Sequence, residues 1–413
     1  MKVAIFTDAY LDITGGVMTA VAAQKKALEN AGHTVYLFSP GFKRKDRALT
    51  KLFHDHIYVV PTCRLFFKGL VPVARRPKII EKWLLKNFAE IKDFDIFHVQ
   101  YEAGCSIAGV RLAQRFKIPL VQTMHGREDM GVTGLVPFGF RTLAGSLLNR
   151  FHSWYLPHNV KIKKDDYLAP TRVRAKMWTL MVNHANQADL VLTPSAHFRK
   201  KLVDYGVERP VKVLPNGVED THFPEKCEVK KRSADEPLRI IWHNRATGEK
   251  RLLSFMEALK LVNGKFVMDV FGGGNELGRA RRMAKRNHLP VTFHGETTFG
   301  ELKGKLAKSH LDVLVSYNYD TFGMTLIEAE AFGVPAFFCD PDMKEIAAPG
   351  GFVMSKGVSA RAMAEALDDL IEHPERIETM SRAMIKRRNE VKQSKRASKL
   401  IEYYKEILER TKL

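Results

Sequence analysis

Short apolar runs alternate with longer amphipathic stretches along nearly the whole chain. MKVAIFT comes first, followed by a helical pattern over 17–31 that ends at Gly32, a residue type suited to a left-handed C-cap. HTVYLFSP, residues 57–61 and FDIFHVQ are strand-like, and a helix is predicted over 106–116. PLVQTMH, ADLVLTPS and VKVLPNGV continue the series, with a helix over 174–187. These runs are almost continuously apolar, the pattern of strands covered on both faces of a parallel sheet. The series restarts after residue 236 with LRIIWHN, helix 252–261, FVMDVFGGG, helix 276–287 and PVTFHG. It continues through helix 299–309, LDVLVSY, helix 325–332 and PAFFCD. Two successive sets of β-α-β units predict an α/β chain of two doubly wound domains. The charged stretch EKCEVKKRSADEP marks the junction and gives domains of 1–222 and 223–393. A last amphipathic helix over 394–413 carries Leu400, Tyr403, Tyr404, Ile407 and Leu408 on one face.

Bulk properties narrow the function classes. The length suits two cores. No run approaches the roughly 20 apolar residues that span a bilayer. The first apolar run, 3–7, lacks a cleavage-type flank, so a strand is expected there and no leader. Cys63, Cys105, Cys227 and Cys339 lie far apart with no CxxC pair, which argues against a zinc site or a disulfide framework. A reducing cytoplasm is the expected compartment. The formal net charge of +20 implies an anionic partner. Residues 1–220 hold 33 Lys and Arg against 19 Asp and Glu, and the remainder 33 against 27, so the excess lies in the first half.

Three places carry candidate chemistry. In the block from Asp320 to Glu328, two carboxylates flank a loop that becomes a helix. The amides of Phe322, Gly323 and Met324 then open toward an anion, while Asp320 and Glu328 reach different parts of one elongated ligand. A solvated acidic loop with a helix glutamate describes the same residues equally well. Strand LRIIWHN leads to Arg245 and, five residues on, Lys250. Cations at the carboxyl end of a parallel strand are placed to neutralise a departing diphosphate, unless they are ordinary surface charges. In the first half, Gly15 and Gly16 let a phosphate approach the βα turn, although this is not GxGxxG and indicates no dinucleotide cofactor. His125 ends the strand PLVQTMH. A lone histidine there is structural or catalytic with equal ease.

Taken together the pattern resembles retaining glycosyltransferase family 4, of GT-B architecture with a cleft between two Rossmann-like domains. The resemblance rests on the Gly-Gly-Val loop, His125, ADLVLTPS, VKVLPNGV, Arg245 with Lys250, FGGG, and above all Asp320 to Glu328 followed by EAFGVP. It implies that Arg245 and Lys250 grip the donor diphosphate and Glu328 the ribose. Asp320 would face the transferred sugar beside the Phe322 to Met324 amides. Gly15, Gly16 and Gly273 would line the donor, and His125 the sugar's reacting face. It also implies no metal and no cofactor, the nucleotide sugar (UDP-hexose favoured) being a substrate, and a final helix that returns to the first domain. Three departures stand out: Asp320 where the family usually has Glu, Arg251 where glycine is common, and the loop Pro341 to Glu345 where a glycine pair is typical.

The acceptor side is basic and apolar. Residues 64–78 interleave aromatic and aliphatic residues with cations, and 131–148 are unusually apolar for a loop region. Both suit a peripheral protein on anionic lipid at the cytoplasmic face, unless the apolar groups fold into the core. No common nucleic-acid fold is recognisable. In segment order the chain is most similar to the branch that makes monoglucosyl-diacylglycerol. The expected activity is therefore hexosyl transfer to a membrane lipid such as diacylglycerol. Rival readings are a soluble sugar, polysaccharide or teichoic-type acceptor, a sugar-nucleotide epimerase, and a non-catalytic nucleotide-sugar sensor.

Overall fold

The computed structural model describes residues 1–9, 11, 16–41, 55–66, 70–136, 138–297 and 299–411. It divides into two compact units, Met1–Pro215 with Gln393–Leu413, and Asn216–Lys392. The division falls before Asn216, not at 222/223, because Val218 is already tied to the far end of the second unit: its N–H donates to Val391 O at 2.8 Å. The charged stretch after it is no free linker either. Lys230 N donates to Ser381 Oγ at 2.8 Å, Lys230 Nζ to Ala307 O at 2.7 Å, and Arg232 to Ile371 O at 2.9 Å.

The first unit is built on β1 (Lys2–Phe6), β2 (Thr34–Ser39), β3 (Ile57–Val59), β6 (Ile96–Val99), β7 (Leu120–Thr123), β8 (Leu190–Thr193) and β9 (Val211–Val213). All pair in parallel, in the order β3-β2-β1-β6-β7-β8-β9. A separate antiparallel strand pair, β4 (Thr62–Phe66) and β5 (Leu70–Ala74), holds Arg64 of the cation-rich segment, and Arg75, Arg76 and Lys78 follow it. Its helices are α1 (Gly16–Asn30), α2 (Pro77–Asn87), α3 (Gly104–Phe116), α4 (Glu128–Leu135), α5 (Arg141–Ser153), α6 (Arg172–Ala185) and α7 (Ala196–Asp204). The stretch 131–148 is thus largely helical among its described residues rather than a loop. Val132 of α4 packs with Val173, Met177 and Leu180 of α6, so the apolar content of α4 goes partly into a small core of its own.

The second unit carries β10 (Leu238–His243), β11 (Phe266–Phe271), β12 (Val291–Gly295), β13 (Leu311–Leu314), β14 (Ala336–Phe338) and β15 (Phe352–Met354). These too are parallel, in the order β12-β11-β10-β13-β14-β15. Its helices are α8 (Leu252–Leu259), α9 (Leu277–Arg286), α10 (Phe299–Leu306), α11 (Met324–Ala331), α12 (Ala360–Glu372) and α13 (Glu375–Arg387). In each sheet the strand order reverses once, between β1 and β6 and between β10 and β13. Loops leaving the carboxyl ends of such a pair diverge to opposite faces and open a crevice between them.

The final helix α14 (Gln393–Thr411) belongs to the first unit. Leu400, Tyr403, Tyr404 and Ile407 pack with Val3, Ile5, Val21 and Leu28 of β1 and α1. The Tyr404 hydroxyl lies 2.6 Å from His98 Nδ1, and Thr123 Oγ1 is 2.6 Å from His98 Nε2. Burial lowers the His98 pKa to about 3, so the ring is neutral. Tyr404→Phe deletes one partner and strands a buried ring nitrogen, a cost of about 1–3 kcal/mol. Urea unfolding of the full chain should show the first unit's transition moving to lower denaturant. An unmoved midpoint would mean that apolar packing alone holds the helix.

Candidate functional site

The reversal point of the second sheet gathers most of the sequence-predicted residues. Strand β10 ends at His243, Asn244 and Arg245 follow it, and a short helical turn, Gly248–Lys250, comes next. Strand β13 leads through Ser316 to Asp320, Phe322 and α11. Lys250 is buried, with Nζ 2.6 Å from Asp320 Oδ1; Ser316 Oγ donates to Asp320 Oδ2. Lys250 and Asp320 thereby join the loops after β10 and β13. Arg245 is more exposed and reaches the Tyr319 hydroxyl at 3.1 Å and Glu249 at 3.3 Å. The Phe322 side chain is core, so only its backbone is available to a ligand. Gly323 holds φ +73° at the start of α11, where a Cβ would sit 2.8 Å from Leu314 Cδ2. Gly273 accepts from Ala246 N at 2.8 Å, and Glu276 N donates to Ala246 O at 2.9 Å, so the FGGG loop is laced to the loop after β10.

Two departures from the family pattern have physical explanations here. Arg251 sits at φ +59°, a left-handed position that glycine adopts without cost. The arginine offsets that strain by donating to Val358 O at 2.6 Å and Val315 O at 3.2 Å. The loop from Pro341 to Glu345 is a helical turn whose first amides are organised by Asp340, which accepts from Asp342 N at 3.1 Å and Asn318 N at 2.6 Å.

Glu328 does not stand alone on α11. Its carboxylate lies 3.4 Å from His243 Nδ1, and His243 Nε2 lies 3.0 Å from Asp312 Oδ1 on β13. Burial raises the Glu328 pKa to about 7, with Asp312 pushing the same way and His243 opposing. Burial by itself would lower the His243 pKa, but the carboxylates of Asp312 and Glu328 outweigh it and hold it above its ordinary value. Neither His243 nor Asp312 was singled out from sequence, because each lies within a strand-like apolar run. Two residues beyond Glu328, Glu330 is fully buried and bound by Arg387 Nε at 2.7 Å, which ties α11 to α13.

The first unit has its own cluster at the reversal between β1 and β6. His125 Nε2 is 2.8 Å from Gln100 Oε1, and burial lowers the histidine pKa to about 4. Asp8, just past β1, accepts from Cys105 N at 2.8 Å and Ser106 N at 3.0 Å, capping α3. Burial raises the pKa of Asp8, of Glu102 and of Glu128, the last to about 7. The only sign of these carboxylates in the sequence is their place just after strands. Gly16 begins α1; Gly15 lies outside the described residues. Among the described residues no group of histidine, cysteine and acidic side chains is arranged to hold a metal, and no helix is long and apolar enough to cross a membrane.

Residues 14–222 match the family described as Glycosyltransferase Family 4, and residues 225–388 match Glycosyl transferases group 1. The chain is 26% identical over 356 residues to alpha-monoglucosyldiacylglycerol synthase of Streptococcus pneumoniae, covering 81% of this chain and 70% of that protein. It is similar in structure to HepE of Anabaena in complex with UDP and glucose, with a TM-score of 0.69 at 15% identity, over 98% of this chain and 100% of that one. Sucrose-phosphate synthase from Thermosynechococcus elongatus gives a TM-score of 0.73 at 16% identity, over 99% of each chain. The fold is accordingly GT-B, two Rossmann-like parallel-sheet units.

The Glu328 pKa yields a stability test. In the unfolded chain this carboxyl ionises near 4.5, in the folded chain near 7. Between those values only the unfolded state loses the proton, so Glu328 makes folding progressively less favourable as pH rises through the window, and by a constant amount above it. His243, with its pKa also raised, acts in the same direction: the stability it contributes is full below its ordinary pKa and is lost as pH passes its folded one. Glu328→Gln should therefore gain on the wild type between about pH 5 and about pH 7.5, by on the order of 1–3 kcal/mol. Denaturant midpoints at the two pH values measure it. A constant difference between the proteins would show that the carboxyl titrates normally.

Proposed function

Because the chain belongs to glycosyltransferase family 4, we propose that it moves a hexosyl group from a nucleoside diphosphate sugar, UDP-hexose favoured, to a membrane glycerolipid, diacylglycerol favoured. The observation that carries this reading is the set Arg245, Lys250, Asp320 and Glu328 at the strand-order reversal of the second sheet, with the start of α11 beside it. Arg245 and Lys250 bind the donor diphosphate and stabilise the charge that grows on it as the glycosidic bond breaks. The amides of Gly323 and Met324 add a helix-start dipole of the same sign. Glu328, steadied by His243, accepts the ribose hydroxyls, and Asp320 takes hydroxyls of the transferred sugar.

The transfer retains configuration. The departing phosphate oxygen takes the proton of the acceptor hydroxyl while that hydroxyl's oxygen bonds to the anomeric carbon on the face being vacated. The two cations do the charge stabilisation, so no metal is required. His125 is held neutral and therefore suits hydrogen bonding to sugar hydroxyls more than electrostatic work. The lipid acceptor is supported by the name of the pneumococcal relative and by the basic excess of the first unit.

The test incubates radiolabelled UDP-glucose and UDP-galactose with diacylglycerol vesicles, with soluble sugars, and alone, each with and without a chelator. Label in lipid supports the proposal. Label only in soluble sugar replaces the acceptor, isomerised donor without acceptor indicates an epimerase, and binding without turnover indicates a sensor. Arg245→Ala and Lys250→Ala should each lower kcat by about 100- to 1000-fold. Calorimetry with bare UDP separates the carboxylates: Glu328→Gln weakens it and Asp320→Asn spares it. Equal losses would refute that division.

A further inference from the structure

Among the described residues, helix α5 and the residues flanking it carry one apolar face that stays exposed. Phe140, Leu143, Leu147 and Trp154 recur at three-, four- and seven-residue spacings and are 65%, 57%, 59% and 65% exposed. Phe138, in the turn before the helix, is 85% exposed, and Leu148 extends the patch. This is not a loosely held segment. On the opposite face, a Cβ at Gly145 would lie 2.8 Å from Val173 Cγ2, so α5 and α6 meet almost backbone to side chain. Asn149 Nδ2 donates to Lys176 O at 2.7 Å, and His152 Nε2 is 2.9 Å from His184 Nδ1. The helix is fixed by one side and presents aromatic and leucine side chains on the other. An exposed apolar face of this kind marks a docking surface.

Charge decides what docks. Residues 130–164 contain five cations, Arg141, Arg150, Lys161, Lys163 and Lys164, and no Asp or Glu. Two of them lie against the exposed rings, Arg141 at 5.6 Å from Phe138 and Arg150 at 5.7 Å from Trp154. A second copy of the same face would meet it with like charge. A nucleic acid would leave the leucines uncovered. A surface that is apolar within and anionic at its rim satisfies both parts at once. We propose that α5 and the turn before it seat the chain on an anionic lipid bilayer, with Phe138, Phe140, Leu143, Leu147 and Trp154 entering the headgroup boundary. This deepens the membrane-acceptor reading and rests on it for its purpose. Of the two segments that the sequence pattern offers for such a surface, 64–78 and 131–148, it takes the second.

The experiment sediments the full chain with vesicles of phosphatidylcholine and phosphatidylglycerol in equal parts, and with phosphatidylcholine alone. Two variants accompany the wild type: Leu143→Gln/Leu147→Gln/Trp154→Gln, and Arg150→Gln/Lys163→Gln. Their side chains are exposed or partly so, and unfolding midpoints check that the fold is kept. The triple variant should bind mixed vesicles about a hundredfold more weakly. The cation variant should lose about fivefold per charge removed, and salt should release the wild type. Transfer to a short-chain diacylglycerol in detergent should survive in both variants. Triple-variant binding equal to wild type overturns the α5 surface and leaves the acceptor reading to be judged by the transfer assay. Docking through α5 without any transfer to diacylglycerol overturns the acceptor reading alone. Equal binding to pure phosphatidylcholine overturns the anionic partner. Self-association lost in the triple variant, with no vesicle binding in the wild type, assigns the face to a second copy and overturns the proposal.

Discussion

The ion pair of Lys250 and Asp320 is the contact on which the second unit's site depends. It bridges loops that leave neighbouring strands on opposite faces of the sheet, 70 residues apart in sequence. Both groups are nearly buried, so neither is well solvated and each needs the other. With that bridge in place, Arg245, Tyr319 and the start of α11 have fixed positions around it. In the proposed donor complex the phosphate would meet an arranged set of charges with little left to reorganise, which is the condition under which charge stabilisation is most effective.

Each unit keeps carboxylates that titrate near neutrality at its strand-order reversal: Glu128 in the first and Glu328 in the second, both at about 7. Burial is the leading cause in each case. Such groups cost stability, and they concentrate where a ligand's polar groups replace the missing water. In the first unit Asp8 already occupies the helix-start position of α3, and Gln100 with His125 and the Tyr101–Glu128 pair lie near the same strand ends.

Much of this was legible from the sequence, for a physical reason. Strands covered on both faces write themselves as continuous apolar runs, and the residues just beyond them fall at sheet ends. Arg245, Lys250, Asp320 and Glu328 are visible on that ground. His243 and Asp312 are not, because a titratable residue inside a strand looks like an interruption until its neighbour across the sheet is known. The stretch 131–148 left two readings open in the sequence, a lipid-facing surface or core. Apolar content ordinarily signals burial, yet α5 turns most of its large apolar side chains to solvent, so its helical periodicity does not mark a core. Arg251 shows a third limit: its left-handed backbone is excused by two carbonyl acceptors far away in the chain, at Val315 and Val358.

The return of α14 to the first unit has a consequence for synthesis. The core of β1 and α1 is completed by Leu400, Tyr403, Tyr404 and Ile407, and His98 waits 306 residues for its tyrosine. On the ribosome the first half of the chain therefore emerges without its closing piece, whereas every part of Asn216–Lys392 is available as one continuous segment. The unit translated second is the one that finishes first, and the unit translated first stays open along one face until the last turns of helix are released.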